Sequence, residues 1–129
     1  MQDTRGEYMY TYKAKLIRVI DGDTVDAEID LGFSVYVKQR IRLYGINTPD
    51  SRSKDLEIRE KGISSKARLN EILTREFIVE TILNKRGKFG RILGVVFTSN
   101  EDDGTLTNIN ETLVKEGHAL SYFGASQDE

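Results

Sequence analysis

Val25-Asp26-Ala27-Glu28-Ile29-Asp30-Leu31 alternates an apolar residue with an acidic one along its whole length. Successive side chains of a strand point to opposite faces, so this stretch predicts a strand with one buried face, carrying Val25, Ala27, Ile29 and Leu31. Asp23 shares their parity, which aims its carboxylate at the mouth of whatever interior the apolar residues fill. Upstream, Thr11 to Ile20 is rich in β-formers, with Ala14, Leu16, Ile17, Val19 and Ile20 as its apolar members. Its alternation breaks at Leu16-Ile17, which predicts a bulge or a strand buried on both faces. Downstream, Gly32 marks a turn into a third strand. That strand carries Val35, Val37, Ile41 and Leu43 on one face and Tyr36, Lys38, Arg40 and Arg42 on the other. Gly45 is expected to break it and Thr48-Pro49 to end it.

Asp50 to Lys61 is almost entirely charged or polar and reads as a mobile, solvated surface loop. From Ile63 the apolar spacing turns helical, through Ala67, Leu69, Ile72 and Leu73. Phe77 to Leu83 and Ile92 to Phe97 read as two further strands joined by the turn Asn84 to Gly90. A second turn at Asn100 to Gly104 leads to a final helix, with Asn108 as N-cap, Glu111 three residues on, and a buried stripe of Ile109, Leu113 and Leu120. The order is βββαββα. An α+β fold results: a five-stranded antiparallel barrel of the oligonucleotide-binding type, with helices. The 129 residues form a single domain in this reading, with 1–9 and 124–129 as flexible tails.

Composition narrows the chemistry. There are no cysteines and one histidine, which excludes disulfides, thiolate nucleophiles and any site needing two histidine ligands. His118 reads as a partly packed residue late in the last helix. No apolar run approaches a membrane span. The N-terminal residues lack the basic start and apolar segment of a signal peptide, so a cytoplasmic location is expected. A net charge of −2 means that any grip on nucleic acid rests on a local positive patch and a metal. The acidic runs Glu101-Asp102-Asp103 and Asp128-Glu129 read as solvated turn and tail.

Two short stretches carry the chemistry, Asp21-Gly22-Asp23-Thr24 and Arg42 to Asp50. A hard cation such as calcium takes carboxylate and carbonyl oxygens in irregular geometry. Asp23 is the strongest candidate ligand, with the Asn47 amide oxygen and the Thr48 backbone carbonyl beside it. Asp21 lies behind them, suited to orient a water. Arg42 and Arg91 suit bidentate binding of a phosphate, and Asp50 suits activation of a water.

At these residues the chain resembles the staphylococcal (micrococcal) nuclease family. Val19-Ile20-Asp21-Gly22-Asp23-Thr24-Val25 is similar to the family's first signature, Arg42-Leu43 through Thr48-Pro49 to its second, and Phe89-Gly90-Arg91 to its third. Asn110 to Ala119 resembles its late helix. The resemblance implies a calcium-dependent hydrolysis of DNA and RNA to 3′-phosphate ends. It implies Asp23 as aspartate ligand, Thr48 as carbonyl ligand, and Arg42 and Arg91 as phosphate arginines. It also implies Lys88 near a nucleotide phosphate and Phe89 as a stacking residue where a tyrosine is usual, with Tyr122 beside the substrate. Two positions depart from the family pattern: Asn47 stands for an aspartate ligand and Asp50 for a glutamate. Little sequence follows Tyr122-Phe123, where the family continues into a longer helix and a tyrosine-bearing region. Reduced activity is expected from Asn47 and Asp50. The alternative is a catalytically weak module that binds nucleic acid or protein across the barrel face. Lys13, Lys15, Lys38, Arg40 and Lys85-Arg86-Lys88 would form its groove, with Tyr36, Tyr44, Phe89 and Tyr122 for stacking.

Overall fold

A computed structural model describes residues 9–82 and 91–122. The expected turn at Asn84 to Gly90, with Lys85, Arg86, Lys88 and Phe89, lies outside the described residues. So do the expected tails, apart from the backbone of Met9.

Three strands open the chain: β1 (Met9–Asp21), β2 (Thr24–Asp30) and β3 (Tyr36–Leu43). They pair antiparallel in sequence order. The predicted irregularity in β1 is a bulge: the register with β2 slips between Leu16 and Arg18, leaving Ile17 unpaired and half exposed. A second slip between Val19 and Asp21 follows. Each slip bends and twists the strand, which lets one long β1 pair with β2 on one side and β5 (Glu76–Ile82) on the other. β6 (Arg91–Ser99) continues antiparallel from β5. The ring closes by a parallel pairing of β3 with β6, Arg40 to Leu43 against Arg91 to Gly94. The five-stranded barrel is therefore mixed rather than wholly antiparallel. Its interior holds Val25, Ala27, Ile29, Ile41, Leu43, Phe77, Val79 and Val96, all buried. Val35 is an exception to the expected inward face of β3. It lies in the turn before the strand and is 48% exposed.

Two helices cap this barrel. α1 (Leu56–Ile72) begins at Asp55, whose side chain accepts from the backbone N–H of Glu57 and Ile58. The loop expected for Asp50 to Lys61 holds up to Asp55 and is corrected from Leu56 on. The charged residues Glu57 to Lys61 are exposed on a helix whose inner side is nearly without large apolar groups. The inner side consists of Gly62, Ser65 and Leu69, while Ile63 and Ala67 are exposed. After β6, a short strand β7 (Leu106–Asn108) precedes α2 (Ile109–Lys115). Asn108 caps α2 by accepting from Glu111 N, and Ile109 and Leu113 are buried as expected.

α2 is shorter than its sequence suggested. Gly117, at φ +83°, closes it by donating to Val114, while the His118 N–H reaches back to Leu113. His118 thus sits in the closing turn rather than in the helix, and Leu120 is 74% exposed in a two-residue strand instead of buried in a helical stripe. That strand, β8 (Leu120–Ser121), pairs with β4 (Ile46–Asn47). The two helices are tied on the surface by Arg68. Its guanidinium bonds both oxygens of Glu116 at 2.7 and 2.8 Å, which holds the Glu116 carboxyl below the usual range.

Candidate active site

The β1–β2 turn is Gly22-Asp23, and glycine is required there by space. A Cβ on Gly22 would lie 2.7 Å from Ser65 Cβ of α1 and 3.0 Å from Thr48 Oγ1. The turn is thus pressed against the segment that follows β4. Both acids flanking the glycine hold that segment by its backbone: Asp21 Oδ1 accepts from Ser51 N at 3.3 Å, and Asp23 Oδ2 accepts from Thr48 N at 3.1 Å. Thr24 Oγ1 donates to the other Asp23 oxygen at 3.0 Å. Asp23 itself is buried.

Arg42 points into the same rim. Its Nη1 donates to the carbonyls of Leu43 and Ile46, each at 2.9 Å, and lies 3.5 Å from Asp23 Oδ2. Its Nη2 donates to Asn47 Oδ1 at 3.3 Å. A guanidinium has five N–H groups in a planar fork. Among the described residues, Nε–H and one Nη2–H stay uncommitted, and a phosphate accepts from such donors. Arg91 begins β6 with its backbone in register with Arg40, two residues before Arg42 on β3.

Asp50 is exposed, and its Oδ1 accepts from Arg52 N at 2.9 Å. Its backbone is pinned from behind by α1. A Cβ on Gly62 would come within 2.5 Å of Ser51 N and 2.6 Å of both the Asp50 carbonyl carbon and Pro49 O. Alanine in a helix interior normally gains about 1 kcal/mol over glycine. Here the obstructing atoms are backbone, and overpacking of that kind costs about 1–3 kcal/mol. Gly62→Ala is expected to destabilise the fold by about 1 kcal/mol despite its better helix propensity, as read from the urea-unfolding midpoint.

Among the described residues, no three histidine, cysteine, aspartate or glutamate side chains form a group able to hold a metal ion. A cation at this rim therefore depends on Asp23 together with neutral oxygens, the Asn47 amide and the Thr48 carbonyl. Among the described residues, Thr48 Oγ1 is buried without a hydrogen-bond partner, so the rim also contains one unsatisfied oxygen. An all-oxygen donor set of this kind fits a hard cation such as calcium.

Sequence reasoning missed the residues that hold Arg42 and its turn. Backbone carbonyls of Leu43 and Ile46 have no residue-type signal. Asn110 has one, as a polar residue early in the last helix, but its bonds are long-range. It is buried, accepts from Val96 N at 3.1 Å, and donates to Tyr44 O at 2.8 Å and Gly94 O at 3.2 Å. Tyr122, expected beside the substrate, is 44% exposed, and its N–H bonds Gly45 O at 2.7 Å. It thereby lies against the β3–β4 turn. Lys88 and Phe89 fall outside the described residues.

Residues 40–129 match the family described as staphylococcal nuclease homologue. The chain is 30% identical to a micrococcal nuclease of Shigella flexneri, over 86% of its own length and 59% of the relative's. It is 30% identical to a thermonuclease of Staphylococcus intermedius, over 98% and 67% respectively. A thermonuclease of Staphylococcus hyicus is 29% identical over 84% and 59%. The chain spans 59% of the length of three of the relatives it matches.

Proposed function

Because the chain belongs to the staphylococcal nuclease homologue family, we propose that it is a calcium-dependent phosphodiesterase that hydrolyses DNA or RNA to 3′-phosphate ends. The observation that supports this best is Arg42, fixed by two carbonyls and lying 3.5 Å from Asp23 with Nε–H and one Nη2–H uncommitted among the described residues. In this reading those donors grip the scissile phosphate, and Arg91 supplies a second guanidinium. Both neutralise charge that builds on the phosphate as it becomes five-coordinate.

Asp50 holds a water for in-line attack through the oxygen not engaged by Arg52. The water's oxygen bonds to phosphorus, its proton passes to Asp50 and on to solvent, and the bond to the 5′-oxygen breaks; that oxygen takes a proton from solvent, leaving a 3′-phosphate and a 5′-hydroxyl. Asp23, Asn47 and the Thr48 carbonyl would hold calcium, with Asp21 steadying the segment behind them. When bound, calcium adds positive charge beside the phosphate and lowers the barrier for anionic attack. Asp50 reaches less far than a glutamate, and a displacement of about 1 Å can cost on the order of a hundredfold in rate. A slow enzyme is the expected result.

The test is cleavage of a fluorescent single-stranded DNA with added calcium and with chelator. Cutting that appears with calcium and vanishes with chelator supports the reading; no cutting at high enzyme and calcium refutes it. Asn47→Asp adds a charge to the donor set. A unit pair at about 4 Å is worth roughly 1–4 kcal/mol in partly solvated surroundings. Calcium affinity, measured by calorimetry without substrate, is expected to rise about tenfold in that variant. An unchanged affinity would remove Asn47 from the donor set.

A further inference from the structure

The outer face of the first three strands carries a charge pattern that the rim does not use. Burial alternates along β2 and β3, so one residue in two faces outward, and the pairing registers place these outward residues in rows. One row is Lys15, Glu28 and Lys38; the next is Arg18, Asp26 and Arg40. Each row sets two cations around one acid. In the second row Arg40 forks onto Asp26 at 2.8 and 3.1 Å, and Arg18 reaches the same carboxylate at 3.3 Å. Arg40 first, then Arg18, hold the Asp26 carboxyl below the usual range. The acid organises the two guanidinium groups without cancelling them, and donors remain on both. The face is thus net positive in a chain whose net charge is −2.

This face ends at the β2–β3 turn, where the backbone is strained. Gly32, Phe33 and Ser34 all have positive φ, at +85°, +56° and +62°. Left-handed backbone is unfavourable for a phenylalanine, and such strain persists where the surroundings or the function require it. Its result is a phenylalanine that is 99% exposed. Tyr36, the first outward residue of β3, is 56% exposed. The same strand then presents Lys38, Arg40 and finally Arg42 at two-residue intervals. Six residues of strand span about 20 Å from Tyr36 to the rim. An extended single strand can cover such a distance within the roughly 4–16 nucleotides that one barrel of this type holds.

We infer that the outer face of β1–β2–β3, ending in Tyr36 and Phe33, is a second binding surface for single-stranded nucleic acid, continuous with the Arg42 rim. It rests on the reading that the rim takes a nucleic-acid strand. The cations follow the phosphates, and the two exposed aromatic rings stack on unpaired bases at the far end. A long substrate strand is then gripped away from the bond that is cut, while a very short one is not.

The experiment compares a 4-mer and a 16-mer single-stranded DNA with the full chain and with the double variant Phe33→Gly, Tyr36→Thr. Glycine suits the left-handed backbone and threonine suits the strand, so both changes respect the local fold. Binding is measured in chelator, so it does not depend on cleavage. The 16-mer is expected to bind the variant at least about tenfold more weakly, as loss of a base–aromatic stack predicts. Cleavage of the 4-mer is expected to stay unchanged. Lys38→Ala is expected to reduce the slope of log affinity against log salt by about 0.7, one phosphate contact. Equal 16-mer affinity in the parent and the double variant overturns the inference. So does a variant whose only change is weaker self-association in sedimentation, because the aromatic turn would then meet a second copy. A parent that cuts neither oligonucleotide refutes the catalytic reading alone, and the binding comparison still decides this surface.

Discussion

Replacing Arg42 by lysine is expected to lower the rate of DNA cleavage by about a hundredfold to a thousandfold while leaving strand binding within a few fold. Lysine keeps the positive charge but concentrates it on one ammonium, with no planar fork. Arg42 has two tasks that a single ammonium does not perform together. Its Nη1 is anchored to the carbonyls of Leu43 and Ile46, and the uncommitted Nε–H and Nη2–H are the donors proposed to meet the phosphate. Loss of one donor aimed at developing charge typically costs about 10²–10³ in kcat. Single-turnover cleavage beside equilibrium binding separates the two effects. A variant that cuts at near-parental rate would show that charge alone suffices at this position and that the fork geometry is irrelevant.

The largest expected change in stability is at Asn110. Asn110→Leu keeps approximate volume but removes an acceptor from Val96 N and donors from Tyr44 O and Gly94 O. A buried polar group left without a partner costs about 1–3 kcal/mol. Gly94 O still accepts from Tyr44 N, so the penalty falls mainly on Val96 N. A loss of about 2 kcal/mol follows, a shift in Tm on the order of 5–10 °C for a domain of this size. Calorimetry checks it. A shift of only a degree or two would mean that the strand and turn find other partners. Asn110 grips Tyr44, and Tyr44 adjoins the carbonyl of Leu43 that anchors Arg42. Cleavage should therefore weaken below the melting range as well.

The barrel was legible where one face of a strand is buried and the other solvated. The alternation of Val25 to Asp30 is a local signal, although Leu31, expected on the same buried face, lies past the strand and is exposed; the break at Leu16-Ile17 that became a bulge is another. The rim was legible in its side chains for the same reason: Asp21, Asp23, Arg42 and Asn47 are chemically distinctive, and the structure brings them around one segment. What escaped lies in close backbone approach. The inner side of α1 is Gly62 and Ser65 because backbone and turn press against it, so the helix has no large apolar stripe there and resembles a loop. Leu120 fits a helical spacing on paper, but Gly117 ends the helix first and the chain turns to pair with β4. The β4–β8 pairing joins two residues to two others far along the chain, and no periodicity in either pair signals it.

The closing seam of the barrel has a consequence for how the protein is made. Arg40 to Leu43 pair with Arg91 to Gly94 across all the intervening chain, including α1 and β5. Contacts between such distant segments form late, since the chain loses the freedom of the whole intervening loop before they contribute. Asp23 and Arg42 leave the ribosome well before Gly94, whose carbonyl holds Tyr44 in place. Until that residue is synthesised the rim stays open, so the nascent chain carries Asp23 and Arg42 unassembled while the residues from Leu43 to Gly94 are added.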